Sequence, residues 1–223
     1  MLDRVADRHG GHTPQIPRQD IDPTAHGPGP FYAFLTSVVV PRPIAWVSTR
    51  SPEGVDNLAP HSFFTVSAVD PPIVQFTSVG RKDSLNNIEA TGEFVVQLTP
   101  EALFEQVNAS GTNFPPDVDE FAAVGLTREP SRLVAPPRVA ESPVALECVR
   151  HAVLSFGDST VVFGRVVGAS IDDAVLRDGH PDVELLRPLG RLGANEWSRP
   201  GEVVRIDRIG YHEWPGHYTP PGE

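Results

Sequence analysis

PRPIAWVST (41–49), NLAPHSFFTVSAVDPPIVQFTS (57–78) and GRKDSLNNIEATGEFVVQL (80–98) are β-type runs broken by Pro and Asn. They end in a basic dipeptide just ahead of a short helical pattern. Ile44 to Thr49, Ser62 to Ala68 and Ile73 to Ser78 have the β-branched and aromatic composition of strands. Pro43 is admissible at the first position of its strand. Asp70-Pro71-Pro72 is a turn, because proline has no N–H to give a paired central strand. Asp83 predicts an N-cap for a helix over Ser84 to Ala90, with Gly92 as its stop. Phe94 to Leu98 is the next strand.

Outward from this stretch, Phe31 to Val40 reads as a short helix running into a strand. Thr99-Pro100-Glu101 predicts a second helix, capped by Thr99, with Pro100 in its first turn and an end near Gly111. A short helical piece is expected around Val118 to Ala123, inside a Pro-rich excursion. Val144 to Phe156 and Thr160 to Ile171 are β-rich and separated by the turn signal Gly157-Asp158. Asp182 to Leu186 reads as one helical turn and Glu202 to Ile206 as a last short strand. There is no internal repeat. The sum is mainly β: antiparallel strands in a closed or nearly closed barrel with a few short helices. Residues 1–29 read as an extended or partly disordered arm, 30–206 as one domain and 207–223 as an irregular tail.

With 223 residues the chain has the length of one β-rich domain, and 24 Pro and 19 Gly suit many short elements joined by turns. A net charge of −11 argues against nucleic acid or an anionic membrane as partner. No apolar run approaches the roughly 20 residues that span a bilayer, and MLDRVADRHGGHTPQ lacks the apolar core of a secretory signal. A lone Cys148 forms no internal disulfide. The natural expectation is a reducing, cytoplasmic setting with Cys148 as a buried structural thiol. His9, His12 and His26 show no metal-ligand spacing and read as a solvated tail.

Arg81-Lys82-Asp83-Ser84 is the sharpest chemical signal. The first helical turn has backbone N–H groups without helical partners, and two cations and a hydroxyl beside them suit a phosphate. An Asp83 cap works against this, since it repels an anion and consumes one N–H, so an ordinary capped helix is an equal reading. In Asn57-Leu58-Ala59-Pro60-His61-Ser62, Ala59-Pro60 forms a stiff corner suited to a planar ring, with polar atoms on Asn57, His61 and Ser62. The competing reading is a turn followed by a core strand. Trp46, Phe63, Phe64 and Phe76 suit either a stacked ligand or the core. Ser-His-Asp order, HExxH, Walker A and GxGxxG motifs are absent from the sequence.

The words RPIAWVST (42–49), NLAPHSFF (57–64), DPPIVQFTS (70–78), KDSLNNIEATGEFVVQL (82–98), PPDVDEF (115–121), PPRVAESPVALEC (136–148) and PLGRLG (188–193) occur in one order. Together they resemble the flavin reductase-like family with an FMN-binding split barrel, which includes flavoredoxin. The likeness covers residues 30 to 206. It implies an antiparallel split β-barrel, a homodimer and FMN near the dimer interface. It places Ser48 and Thr49 near the ribityl chain or phosphate, and Asn57, Ala59, Pro60, His61 and Ser62 in the flavin site, the last four against the isoalloxazine. Ser78, Arg81, Lys82, Asp83 and Ser84 would hold the ribityl-phosphate end, with Arg191 and Gly193 closing the site. Where many relatives have a second Gly and then Tyr after RLG, this chain has Ala194-Asn195-Glu196-Trp197.

The function the resemblance implies is an NAD(P)H-dependent flavin reductase, with hydride passing to FMN and electrons onward. Two alternatives stand beside it. One is a non-enzymatic FMN carrier reduced by a protein donor, whose acidic surface suits a basic partner. The other is a barrel that holds a different ligand such as haem.

Overall fold

The computed structural model describes residues 17–115 and 117–214. His9 and His12 lie outside them. Within the expected arm, α1 (Pro23–His26) is a single turn, and α2 (Pro28–Val38) follows at once. Five strands come next, then helices around one more strand: β1 (Arg42–Pro43), β2 (Ala45–Arg50), β3 (Asp56–His61), β4 (Phe64–Ala68), β5 (Ile73–Val79), α3 (Asp83–Thr91), β6 (Glu93–Gln97), α4 (Phe104–Ala109) and α5 (Glu120–Ala123). After the short pair β7 (Arg128–Glu129) and β8 (Arg138–Val139) come the two long strands β9 (Val144–Phe156) and β10 (Ser159–Ile171). Short elements close the described chain: β11 (Leu176–Arg177), β12 (His180–Pro181), α6 (Val183–Leu186), β13 (Gly190–Arg191) and β14 (Trp197–Ser198).

Seven strands form one antiparallel sheet in the order β3-β2-β6-β9-β10-β5-β4. The sheet curls so that its two ends approach, bringing the His61 ring of β3 within 4.6 Å, centroid to centroid, of Phe76 on β5. The interior holds Ala45, Val47, Val74, Phe76, Phe94, Val96, Cys148 and Val162, plugged by Leu85 and Ile88 of α3. Alternation along β2 sends Trp46 outward into a second cluster with Leu58, Val107 and Phe121. At Gly164 a Cβ would sit 2.2 Å from Phe94 Cζ, so the bulge between Phe163 and Gly164 brings bare backbone against that ring.

The strands of the opening stretch, the β9–β10 hairpin and the Asp182-capped turn of α6 form as the residues suggest. Gly92 ends α3 at φ 78. Cys148 is buried, and burial pushes its thiol up to about 12.

Four local expectations are corrected. Ala59-Pro60 is no corner. It lies in β3, an end strand of the sheet, where the missing proline N–H is not required, and the chain bends instead at Ser62-Phe63. Asp83 is the first helical residue, not the cap; Lys82 holds the N-cap position with no side-chain capping bond. Thr99 does not cap the second helix. Pro100 stays extended and bridges to Pro188 while the Thr99 carbonyl accepts from Leu189, so one 3₁₀ turn (Glu101–Leu103) precedes α4. Glu202 to Ile206 forms no strand. Val204 and Ile206 are exposed, and among the described residues no strand pairs with them.

Candidate functional site

A cleft of about 410 Å³ opens where the two ends of the curled sheet meet. One wall is β3 and the bend after it, with Asn57, Ala59, Pro60, His61, Ser62 and Phe63. Thr77 and Val79 of β5 face it, and the start of α3 supplies Arg81, Lys82, Asp83 and Ser84. A loop from Ser110 to Phe114 forms the remaining side. It is pinned by Trp46, whose Nε1 donates to Ser110 Oγ at 2.9 Å, and by Lys82, whose Nζ donates to Asn113 Oδ1 at 2.7 Å. Gly111 approaches Pro60 so closely that a Cβ would lie 3.3 Å from its Cγ.

The helix start is open. With Lys82 as a cap whose side chain makes no capping bond, the first intrahelical bond runs from Asn86 N to Lys82 O at 3.0 Å, and among the described residues no side chain takes the N–H groups before it. This removes the objection that an Asp83 cap would consume a donor. Arg81 lies at the rim, tied to Asn86 Oδ1 at 3.1 Å and to Glu89 at 2.6 Å.

Behind the wall runs a buried chain of polar groups. Glu120 Oε1 accepts from Asn57 Nδ2 at 2.7 Å, and Oε2 from the Leu58 N–H at 3.3 Å. Asn57 Oδ1 accepts from Ser84 Oγ at 2.9 Å and from Thr49 Oγ1 at 3.3 Å. Because Ser84 spends its only hydrogen there, the 3.3 Å contact with His61 has His61 Nε2 as donor. Burial is the chief force pushing the His61 imidazole down to about 4, with Lys82 adding to it and the Thr77 backbone opposing. The ring is therefore neutral at ordinary pH. Burial likewise pushes the Glu120 carboxyl above its usual range, against the bonds from Asn57 and Leu58.

Of the sequence-derived candidates, Asn57, Ala59, Pro60, His61, Ser62, Arg81, Lys82, Asp83 and Ser84 meet in the cleft. Ser48, Thr49 and Ser78 do not line it. Ser48 is buried against the Pro137 carbonyl at 2.5 Å and Gln97, Thr49 backs Asn57, and Ser78 donates to the Gly80 carbonyl at 2.9 Å. Arg191 sits 4.7 Å from the Trp197 ring centroid, and Gly193 packs on Ser37, both away from the cleft wall. Trp197 itself packs edge-on against Phe104 at 5.2 Å. Trp46 and Phe76 are core, whereas Phe63 lines the cleft.

Glu120, Thr77, Tyr32 and the Ser110–Phe114 loop escaped the sequence reading. Glu120 lies inside the word PPDVDEF (115–121), where an acid directly before a buried Phe121 was the available signal. Among the described residues no group of His, Cys, Asp and Glu is placed to hold a metal ion, and no helix is long and apolar enough to cross a membrane.

The family description "Flavin reductase like domain" matches residues 37–186. The chain belongs to that family. An uncharacterized protein from Halalkalibacterium halodurans is 40% identical over 189 residues, covering 79% of this chain and 90% of its own. Among solved structures, the 2-nitrobenzoate 2-nitroreductase of Pseudomonas fluorescens is 30% identical with a TM-score of 0.81, covering 86% of this chain and 98% of its own. A split barrel domain protein of Shewanella frigidimarina shares the fold at 22% identity and a TM-score of 0.74, over 79% of this chain and 91% of its own. The architecture is thus the split barrel, with the cleft at the split.

Proposed function

We propose that this chain is an FMN-dependent oxidoreductase of the flavin reductase type, with NADH or NADPH as donor. The observation that carries this reading is one cleft that joins an uncapped helix start, flanked by Arg81 and Lys82, to a strand wall containing a neutral imidazole. The open N–H groups of α3 and Lys82 would hold the phosphate, with the Ser84 hydroxyl, already spent on Asn57, bracing the wall behind them. Ala59, Pro60, His61 and Ser62 would face the ring. Ser48, Thr49 and Ser78 would act from behind, since Thr49 fixes the Asn57 amide and Ser48 fixes Gln97.

FMN, when bound, supplies hydride acceptance and onward electron transfer. The chain's part is to bind, orient and exclude charge. Neutral His61 places no cation beside the ring, and the Glu120–Asn57–Ser84 chain keeps the phosphate end rigid. The nitroreductase neighbour supports reductive chemistry at such a site.

We propose further that the protein is a homodimer. Val66 on the end strand β4 is 71% exposed and Val69 in the following turn is 90% exposed, an apolar edge that a symmetric partner would cover.

The purified protein is expected to be yellow or to become so with added FMN, and anaerobic NADH or NADPH is expected to bleach it within turnover times. A colourless sample indifferent to FMN overturns the reading. Colour that survives both donors reassigns the chain to an FMN electron carrier reduced by a protein.

A further inference from the structure

Beside the cleft lies a second pocket of about 400 Å³, which shares Ser62, Phe63 and Thr77 with it. Its wall is largely apolar, from Leu35 of α2 and Val39 just beyond it to Phe63 of the bend and Phe64 of β4, and Arg42 is its one charged lining residue.

Arg42 is 8% exposed. Its Nη1 donates to the carbonyls of Thr36 and Val39, and its Nη2 to the Leu192 carbonyl at 2.7 Å. Nε is buried and has no acceptor. Of five N–H donors, three are used, all on neutral carbonyls. Among the described residues no carboxylate pairs with this guanidinium.

The residue directly opposite Arg42 across β1 and β13 is another cation, Arg191. Like charges facing one another across strands are destabilising. Arg191 is also without a carboxylate among the described residues; it donates to the Glu196 carbonyl at 3.0 Å and rests on Trp197. A chain of net charge −11 has thus set two cations opposite one another, the buried Arg42 lining an apolar pocket and Arg191 facing it across the strands, with no carboxylate paired to either among the described residues. Burying an unpaired charge is unfavourable, and an anion seated in the pocket would relieve it.

We propose that this pocket binds a small monocarboxylate with an aromatic or branched apolar body. Its negative charge is held in the field of Arg42 and Arg191, and its body packs against Phe63 and Phe64. Through Ser62, Phe63 and Thr77 the bound molecule adjoins the cleft, so the site deepens the flavin reading and is tested separately from it.

The probe is benzoate, with benzamide as its neutral counterpart, titrated calorimetrically into the full chain with and without saturating FMN. Benzoate is expected to bind at least ten times more tightly than benzamide in both forms. Arg191→Gln is expected to lower benzoate affinity severalfold and leave benzamide unchanged. Arg42→Lys, which keeps the charge, is expected to retain more of the preference than Arg42→Gln. Phe63→Leu should weaken both probes alike. Equal affinity for the two probes overturns the proposal, as does benzoate binding that vanishes when FMN is added. FMN binding with no benzoate binding overturns this site alone. Benzoate selectivity in a protein that ignores FMN upholds it while the proposed function fails.

Discussion

Asn57 Nδ2 donates to Glu120 Oε1 at 2.7 Å, joining an end strand of the barrel to a helix 63 residues away in sequence. This bond closes the wall between the main cleft and a second gully of about 340 Å³, lined by Asp56, Asp83, Asp117 and Glu120. Asn57→Ala strands a buried carboxylate and is expected to destabilise the fold by about 2–3 kcal/mol in urea unfolding. Asn57→Asp, which sets two carboxylates together, should cost more.

The phosphate assignment is tested by ligand pairs. Each charged contact is worth about 1.5–3 kcal/mol. Lys82→Ala should therefore weaken FMN by roughly 10- to 100-fold while riboflavin loses far less. Fluorescence titration with the two flavins measures this. Equal losses would remove the phosphate from the helix start.

His61 gives a pH signature. Its ordinary value is 6.5 and burial lowers it to about 4 in the fold. The unfolded chain therefore takes up a proton that the folded chain refuses. Stability from this group is complete above about 6.5 and falls as pH drops toward about 4, by on the order of 3 kcal/mol. His61→Asn should flatten that part of the curve. Glu120 acts with the opposite sign: its carboxyl lies above the usual value, so its share of stability rises as pH falls through the folded value. Glu120→Gln should steepen the acid loss. Urea midpoints of wild type and both variants between pH 4 and 7 separate the two.

Gly164→Ala should cost about 2–3 kcal/mol, because the new methyl has no room beside Phe94 Cζ. Adding Phe94→Leu should recover part of the loss, and a thermal-unfolding double-mutant cycle reads the coupling. No recovery would mean that the clash is relieved elsewhere.

Light scattering tests the dimer. Wild type is expected at twice the chain mass, and Val66→Asp at the chain mass. A wild-type monomer with full FMN occupancy would contradict the dimer proposal.

Strands β2, β4, β5, β6, β9 and β10 were legible because each carries β-branched and aromatic residues, and the hairpin because Gly157-Asp158 interrupts it. Pro60 misled because a proline reads as a corner unless the strand order is known, and that order depends on pairings between distant segments. The Asp83 cap failed for a related reason. Either Lys82 or Asp83 can stand at the boundary, and only the path of the preceding turn selects between them. Half of the cleft was visible in NLAPHS and RKDS. Glu120 and the Ser110–Phe114 loop were not, because their place is set by Trp46, Asn57 and Lys82, residues 31 to 64 positions away.

The order β3-β2-β6-β9-β10-β5-β4 also sets a timetable for the ribosome. His61 and Thr77, on facing walls of the cleft, emerge within 16 residues of each other. Yet the covering wall, β5, is held to the far side of the sheet through β10, which is complete only at Ile171. A nascent chain that already carries His61 and Lys82 still lacks the Ser110–Phe114 wall and has no receptacle. Cofactor loading belongs to the finished protein, and chains truncated before β10 are expected to leave the translation machinery empty.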